Sequence, residues 1–267
     1  MSIQKCSRCG NKKFYRVRRG KKRCSECGFE FTFWLVKGIR LNRTKWKNII
    51  GWFLLERSGL WIAGKMGLGK NQAYQALKRI RQVLVTDVPK EFFGTVEVDE
   101  TYLGGQKKNK NKNQLKKEKE IFGKESKRGF GTTKQPIFGI LCRSGKVFAE
   151  LVDNTKAKDL IPIIIKKVKP GSKICSDTYH SYTGLASQGY VHRTVNHSQH
   201  EYVRGNIHIN GLEGFWGYLK RKLAAKGGVQ RQYLYLFLGE YVWRYNNRRL
   251  NHKQQIIKIL ELLKSSG

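Results

Sequence analysis

Residues 207–223 read IHINGLEGFWGYLKRKL, and their pattern predicts an amphipathic helix with polar groups beside its apolar side. Apolar residues recur there at spacings of three and four, which places them on one side of a helix. Glu213 borders this side, Lys220 lies two turns further along it, and Asn210 comes one turn earlier. A carboxylate, an amide and an ammonium in line suit a site for metal and phosphate. A single glutamate on such a helix is more often simply solvated, so the helix alone does not establish a site.

Two predicted strands upstream each carry a carboxylate that this helix would complement. The segment GTVEVDETYLGG alternates from Gly94 onward, which places Glu97 and Asp99 on one face and points Glu100 away from them. The segment KICSDTYHSYTGL is predicted to be a strand that ends at Asp177 before a short helix. Because Glu97 shares the face of Asp99, we also consider the hypothesis that Glu97 supports the site around Asp99.

Asp99, Asp177 and Glu213 are the candidate ligands of a cation site. Three carboxylates at one point repel one another, so the arrangement requires hard cations between them. Mg²⁺ prefers oxygen ligands and keeps water positions open for substrate phosphates. Two such ions roughly 3.5–4 Å apart activate an attacking hydroxyl and stabilise the leaving oxygen of a phosphodiester.

The charge of the chain favours a nucleic-acid substrate. Among 267 residues, 54 are Lys or Arg and 19 are Asp or Glu, which gives a net charge of +35. A field of this size suits a polyanion, of which nucleic acid is the commonest, and an anionic membrane surface is the rival partner. No apolar run is long enough to span a bilayer, and the first residues lack the apolar segment of a signal peptide. The sequence therefore predicts a cytoplasmic, metal-dependent enzyme that acts on DNA.

The order of predicted elements indicates an α/β catalytic core over residues 92–250. Three strands form a meander, a helix beginning near Thr155 crosses over, and two more strands follow, so a mixed sheet flanked by helices is expected. Residues 105–131 are rich in Lys and Asn and are predicted to form a basic surface loop, either a solubilising insertion or a clamp on the DNA backbone. Residues 251–267 are predicted to be a C-terminal helix or tail.

Two pairs of cysteines predict a zinc ribbon at residues 1–35. Cys6 and Cys9 form one CxxC pair, Cys24 and Cys27 form the other, and a glycine follows each pair directly. Four thiolates with this spacing are typical of one structural Zn²⁺ ion in tetrahedral coordination. The alternative, two redox-active dithiols, has little support because no βαβ pattern surrounds either pair. The basic hairpin between the pairs favours contact with DNA over contact with protein.

Residues 40–90 are predicted to form a helical, helix-turn-helix-like domain. Ala63 and Gly67 provide the small residues that allow two helices to approach closely. The second helix would present base-reading side chains at its start and phosphate-binding side chains further along. An ordinary helical hairpin with a solvated basic face remains the alternative. The candidate DNA-binding residues are Asn71, Gln72, Tyr74, Gln75, Lys78, Arg79 and Arg81.

The motifs VDETYLGG, SDTYHSY, HINGLEGFWGYLKRKL and RYNNR together resemble those of DDE transposases from bacterial insertion sequences, most closely the zinc-ribbon group of insertion-sequence family 1595 with an ISXO-type core. The 35 residues from 178 to 212 that separate Asp177 from Glu213 match the spacing of that family. The resemblance implies an RNase H-like core in which Asp99, Asp177 and Glu213 hold two Mg²⁺ (or Mn²⁺) ions. Lys220 would position a phosphate or a flanking base.

The resemblance also implies a reaction: water frees a 3′-hydroxyl at the element end, and that hydroxyl attacks a target phosphodiester. Some members of this family carry Asn in the third catalytic position, and Asn210 is therefore the alternative to Glu213. Glu213 is preferred because a carboxylate binds Mg²⁺ better than an amide does.

The resemblance leaves rival functions and implies partners. A non-catalytic zinc-ribbon DNA-binding protein, whether a regulator or a domesticated transposase, is one rival, and an RNase H-like nuclease is the other. The expected partners are double-stranded DNA, as element ends and target, and a second copy of the chain in a dimer or higher assembly. No membrane and no small-molecule substrate are expected, and the protein should associate with the bacterial nucleoid.

Overall fold

The chain forms two compact units in a computed structural model, Met1–Leu84 with Arg249–Gly267 and Val85–Arg248. The structure describes residues 5–18, 21–31, 34–104, 112–122, 132, 134–143, 145–178, 180–182, 184–195 and 208–266.

The first unit begins with a small antiparallel sheet around the cysteines. Its strands are β1 (Phe14–Arg16), β2 (Lys22–Cys24) and β3 (Glu30–Phe31), paired in that order. The ring of Phe14 meets the ring of Phe31 edge to face, with centroids 5.1 Å apart. Since so short a sheet has little apolar interior, an ion held by the four cysteines would add to its stability.

The rest of the first unit is helical, as the sequence predicts for this segment. Helices α1 (Arg43–Leu54), α2 (Gly59–Met66) and α3 (Lys70–Thr86) follow one another. Asn42 and Ser58 begin the first two by accepting hydrogen bonds from backbone amides of their first turns.

The C-terminal helix also belongs to the first unit. Helix α8 (His252–Ser265) starts with a capping box between Asn251 and Gln254, and it packs against α1. Arg79 of α3 donates to the backbone oxygen of Ser266 at the end of α8. The last helix is therefore an integral part of the unit that contains the cysteines.

The second unit is built on a mixed sheet of five strands. They are β4 (Thr95–Leu103), β5 (Gln135–Cys142), β6 (Lys146–Leu151), β7 (Lys173–Asp177) and β8 (Val191–Val195), in the order β6-β5-β4-β7-β8. The first three pair antiparallel, whereas β4, β7 and β8 pair in parallel. A three-strand meander whose first strand pairs with the strand after the crossover is the RNase H-like arrangement, and the predicted mixed-sheet fold is confirmed.

Helices cover both faces of this sheet. The crossover helix α5 (Ala157–Lys167) packs on the face that carries Val96 and Val98. Helices α6 (Asn210–Ala224) and α7 (Leu234–Asn246) pack on the opposite face, to which Leu103 and Ile137 contribute. The alternation predicted for β4 is thus the one observed, with Glu97 and Asp99 on the face covered by α6.

The Lys-rich segment contains a helix that the prediction of a loop did not anticipate. Helix α4 spans Lys112–Phe122, while residues 105–111 and 123–131 lie outside the described residues. Lys, Glu, Gln and Leu are strong helix formers, so local propensity favours a helix here. The hypothesis that this segment clamps the DNA backbone stays a prediction.

None of the helices in the described part of the chain has the length and apolar character needed to cross a bilayer.

Candidate active site and metal centres

The four cysteines of the first unit converge on one point. The sulfur atoms of Cys6 and Cys27 are 3.6 Å apart, those of Cys9 and Cys24 are 3.5 Å apart, and all four lie within 4.8 Å of one another. A tetrahedral zinc site with Zn–S bonds of about 2.3 Å separates its sulfurs by about 3.8 Å, so the spacing fits this ion closely. Over the described residues, this is the one such group of three or more Cys, His, Asp or Glu side chains.

Backbone amides around the cysteines favour the ionised thiolates that a metal requires. Backbone amides, chiefly that of Cys27 and also that of Glu26, lower the pKa of the Cys24 thiol to about 6 against the effect of desolvation. Desolvation and the neighbouring thiols instead raise the pKa of Cys9 to about 12, so without a metal the cluster shares its protons unevenly. The side-chain amide of Asn11 also approaches the Cys24 sulfur, at 3.7 Å, and the amide of Arg8 lies 3.4 Å from the sulfur of Cys6. Amides directed at sulfur are the usual outer support of a thiolate site.

The sheet of the second unit brings Asp99 and Asp177 together. Strands β4 and β7 are parallel neighbours, with Thr95 opposite Lys173 and Glu97 opposite Cys175. Two residues further along each strand, the same register leads to Asp99 and Asp177 on the same face. The sequence prediction that these two carboxylates meet is therefore supported by the register of the sheet.

The electrostatics of Asp99 reflect this proximity. Burial raises the pKa of Asp99 well above its usual range, and the charges of Glu100 and Asp177 raise it further. The indole N–H of Trp216 on α6 donates to Oδ2 of Asp99 at 2.9 Å and acts in the opposite direction. Mutual repulsion among buried carboxylates is what a bound cation would relieve.

Glu100 belongs to this group, although the sequence placed it on the other face. Its side chain does lie on that other face, where it accepts a hydrogen bond from the buried hydroxyl of Tyr182. Burial raises the pKa of Glu100 to about 7, and the charge of Asp177 adds to the shift. Alternation along β4 predicts only which face each side chain occupies. It does not predict that the charge of Asp177 raises the pKa of carboxylates on both faces, Asp99 on one and Glu100 on the other.

Helix α6 carries the remaining candidates, Asn210, Glu213 and Lys220, all of which are exposed. Desolvation lowers the pKa of Lys220, and the charge of Asp99 opposes that change, so the ammonium group lies within electrostatic reach of Asp99. Glu213 occupies the first turn of α6, three residues before Trp216. Among the described residues, Asp99, Asp177 and Glu213 do not form a set with ligand atoms within 4.8 Å. Asp99 and Asp177 lie on neighbouring strands of the sheet, whereas Glu213 lies on helix α6, which packs on that sheet.

The packing of α2 on α3 resembles a helix-turn-helix but depends on a different small residue. A methyl group at Gly59 would lie 3.0 Å from the ring of Tyr74 and 3.2 Å from Leu77, so glycine permits this close approach. Gly67 instead ends α2, where its backbone adopts the left-handed conformation with φ 58°. Ala63 is buried, as expected for the helix-facing side.

The candidate DNA-binding side chains of α3 divide into two groups. Arg79 bonds to Ser266, and the guanidinium of Arg81 lies 5.5 Å from the ring centre of Phe53, so both are engaged within the first unit. Gln72 is half-buried. The residues that share one exposed face, at helical spacings of three and four, are Asn71, Tyr74, Gln75 and Lys78.

The second unit matches a known protein family. Residues 91–246, which contain the sheet and all the carboxylates above, match the ISXO2-like transposase domain. The chain belongs to this family. The match confirms the resemblance to insertion-sequence family 1595.

Individual relatives are consistent with the family. An uncharacterized transposase-like protein of Haemophilus influenzae is 37% identical over 121 residues, which cover 45% of this chain and 96% of that relative. An uncharacterized protein in transposable element ISH50 of Halobacterium salinarum is 24% identical over 224 residues, covering 79% of this chain and 74% of the relative. The Mos1 transposase paired-end complex with left transposon end matches at a TM-score of 0.30 and 10% identity, over 82% of this chain and 78% of that one. The fold is defined by the order and direction of the five strands, β6-β5-β4-β7-β8.

Proposed function

We propose that the protein is the transposase of an insertion sequence, which binds the element ends, hydrolyses a phosphodiester there and joins the freed 3′-hydroxyl to target DNA. One observation carries this proposal: Asp99 and Asp177 lie on adjacent parallel strands of one face, and α6, which bears Glu213 and Lys220, is bonded to Asp99 through Trp216. The family supports the general activity, and this site supports the chemistry.

The residues at this site fit divalent cations. Each candidate ligand is a carboxylate, and hard cations such as Mg²⁺ or Mn²⁺ prefer oxygen ligands. Burial, and then the charges of Glu100 and Asp177, raise the pKa of Asp99, so its ionised form is costly without a cation beside it. Asp99 and Asp177 would hold two such ions together with Glu213. The chemistry that bound Mg²⁺ supplies is activation of water or of a 3′-hydroxyl and stabilisation of the leaving oxygen.

The other side chains orient the ligands and the substrate. The indole of Trp216 bonds Oδ2 of Asp99 and so fixes the direction of the carboxylate. Lys220 places a positive charge beside Asp99, where a DNA phosphate would arrive. This ammonium binds a phosphate as a point charge and keeps the backbone against the carboxylates.

Binding to DNA is supported by charge and by the first unit. The net charge of +35 supplies the sequence-independent attraction. The exposed face of α3 would enter the major groove with Asn71 and Gln75 toward base edges and Lys78 toward phosphate. The cysteine site would hold one Zn²⁺ as a structural ion. Two element ends must be held during transposition, so a dimer or larger assembly on DNA is part of the proposal.

The test is a strand-transfer assay with the full chain, Mg²⁺ and short duplexes that carry the terminal sequences flanking the gene. Joined products that require both Mg²⁺ and Asp99 support the proposal, with Asp99→Asn as the negative comparison. Tight, salt-sensitive binding without cleavage would instead indicate a DNA-binding protein. Cleavage of RNA–DNA hybrids without joining would indicate a nuclease.

The third ligand is tested in the same assay by a pair of variants. Glu213→Gln should abolish cleavage and spare DNA binding, whereas Asn210→Ala should retain most of the strand-transfer rate. The reverse result would assign the third position to Asn210. The comparison is sharp because both residues are exposed in the first turn of the same helix.

A further inference from the structure

The buried carboxylate of Glu97 is one that the proposed chemistry does not use. Glu97 lies two residues before Asp99 on the same face of β4 and is 1% exposed. Its oxygens meet the backbone amide of Leu212 at 2.9 Å, Nδ1 of His208 at 3.3 Å and Nε of Arg143 at 3.5 Å. A buried carboxylate is costly unless it is paired and hydrogen-bonded, so these contacts are the reason that Glu97 is tolerated there.

Glu97 acts as the N-terminal cap of α6, although it comes from a strand. Residue Ile209 stands at the cap position of this helix and has no polar side chain to accept a hydrogen bond. Glu97 accepts instead from the third amide of the helix, that of Leu212, and its negative charge lies at the positive end of the helix dipole. A methyl group at Gly211 would lie 2.9 Å from Oε2 of Glu97, so the glycine leaves space for this contact.

Helix α6 is therefore bonded to β4 at two points. Glu97 holds Leu212, and Asp99 holds Trp216. Two residues of a strand advance about 6.7 Å, and four residues of a helix advance about 6.0 Å, so the two pairs are nearly in step. The buried side chains of α6 already restrain the helix against the sheet, and the two matched bonds add fixed points for its rotation and for its position along the strand.

We propose that Glu97 is a positioning residue, which sets the rotation and register of α6 and thereby directs Glu213 and Lys220 toward Asp99. This inference rests on the proposed function, because Glu97 would affect catalysis through the positions of Glu213 and Lys220 at the carboxylate site. Glu97 does not contact substrate in this role, and it acts through the helix that it caps.

Two variants test the role from opposite sides. Glu97→Gln retains a side-chain oxygen for the amide of Leu212 but removes the charge that faces Arg143 and His208. Gly211→Ala leaves the carboxylate intact but forces it away from the helix. Each should lower the strand-transfer rate by about 10- to 100-fold and raise the Mg²⁺ concentration for half-maximal rate severalfold, as changes behind metal ligands do. Binding to end DNA should change less than twofold.

The matched control is Glu240→Gln. Glu240 is also a 1% exposed carboxylate, and it pairs at 2.9 Å with an arginine of its own helix α7, Arg244. Neutralising it should lower the melting temperature without changing the Mg²⁺ dependence. Glu97→Gln and Gly211→Ala could lower the strand-transfer rate only as far as they lower the melting temperature, with an unchanged Mg²⁺ dependence, as expected for Glu240→Gln. In that case Glu97 has a purely structural role and the inference is overturned.

The failures of the two proposals are distinguishable. A wild-type chain that joins no DNA, or an Asp99→Asn variant that still does, contradicts the proposed function. A wild-type chain that depends on Asp99 and Mg²⁺ but tolerates both tests at Glu97 and Gly211 contradicts the positioning role alone. Should Glu97→Gln fail to fold, Gly211→Ala decides by the same Mg²⁺ dependence.

Discussion

The cysteine site of the first unit and the carboxylate site of the second are built in opposite ways. Four sulfurs within 4.8 Å come from two short knuckles of a small sheet. The carboxylates come from two strands and a helix that are far apart in the chain, and in the described residues Asp99, Asp177 and Glu213 do not come together as a candidate metal-binding group. The first site is assembled by local geometry. The second depends on strand register and on how α6 is held.

The largest expected effect removes a ligand of the first site. Cys24→Ser should abolish zinc binding, measured as one ion per chain by elemental analysis, and should lose the order of residues 5–31 in amide hydrogen exchange. Structural zinc in small domains contributes about 10–16 kcal/mol of binding free energy to folding. The amides of β4 should keep their protection.

Cys142→Ser is the control, because Cys142 is buried in the sheet of the second unit. Equal zinc content in the two variants would contradict the assignment of the cysteine site.

The next largest effect is expected when a proposed ligand of the second site is replaced. Asp177→Asn should reduce strand transfer at least about 1,000-fold, equivalent to about 4 kcal/mol of barrier, and leave zinc content and binding to end DNA intact. Loss of repulsion should also make β7 slightly more resistant to hydrogen exchange. Asp153→Asn, an exposed change beyond β6, should behave as wild type. Strand transfer that survives Asp177→Asn would contradict the role of Asp177 as a metal ligand.

A smaller effect follows from proton binding at the carboxylate site. Burial raises the pKa of Glu100 to about 7 from its ordinary 4.5, so the folded state holds this proton more tightly than the unfolded chain does. The resulting stability is fully present below pH 4.5 and is lost as pH rises through 7, and it amounts to about 3 kcal/mol at most. In buffer that lacks Mg²⁺ and Mn²⁺ but keeps zinc bound to the cysteines, protection of the β4 amides should therefore fall between about pH 5 and pH 8.

Glu100→Gln should flatten this decline, since an amide does not titrate. The cysteine site has no counterpart in this range once zinc is bound, so the amides of the first unit serve as the internal reference. An unchanged slope in Glu100→Gln would assign the decline to other groups.

The smallest effect concerns reading of DNA by the first unit. Gln75→Ala on the exposed face of α3 should weaken binding to the element end by about 1–2 kcal/mol while leaving binding to unrelated DNA unchanged. Lys78→Ala should weaken both and lower the slope of the salt dependence by about one. Arg81→Ala should chiefly alter packing, because Arg81 lies over Phe53. Competition binding with end and scrambled duplexes separates these cases.

Local patterns were enough to predict the cysteine site and much of the sheet. The CxxC spacing determines how two thiolates meet, and alternation along β4 correctly placed Asp99 opposite the valines. The proximity of Glu100 to the site was missed because alternation describes faces of a strand and ignores charge acting around its end. The link between Glu97 and Leu212 was also out of reach, since it joins residues more than a hundred positions apart.

Because helix α8 is the last helix to be synthesised, the first unit can finish folding only after the second unit has been made. Ile256, Ile259 and Leu263 are buried in α8, which packs against α1. During synthesis these residues emerge after the whole second unit, many seconds after α1 at ordinary rates of translation. The unit that would grip DNA thus reaches its full structure only when the catalytic unit is already made. A chain released early by the ribosome therefore lacks the buried α8 side chains that complete the core of the first unit.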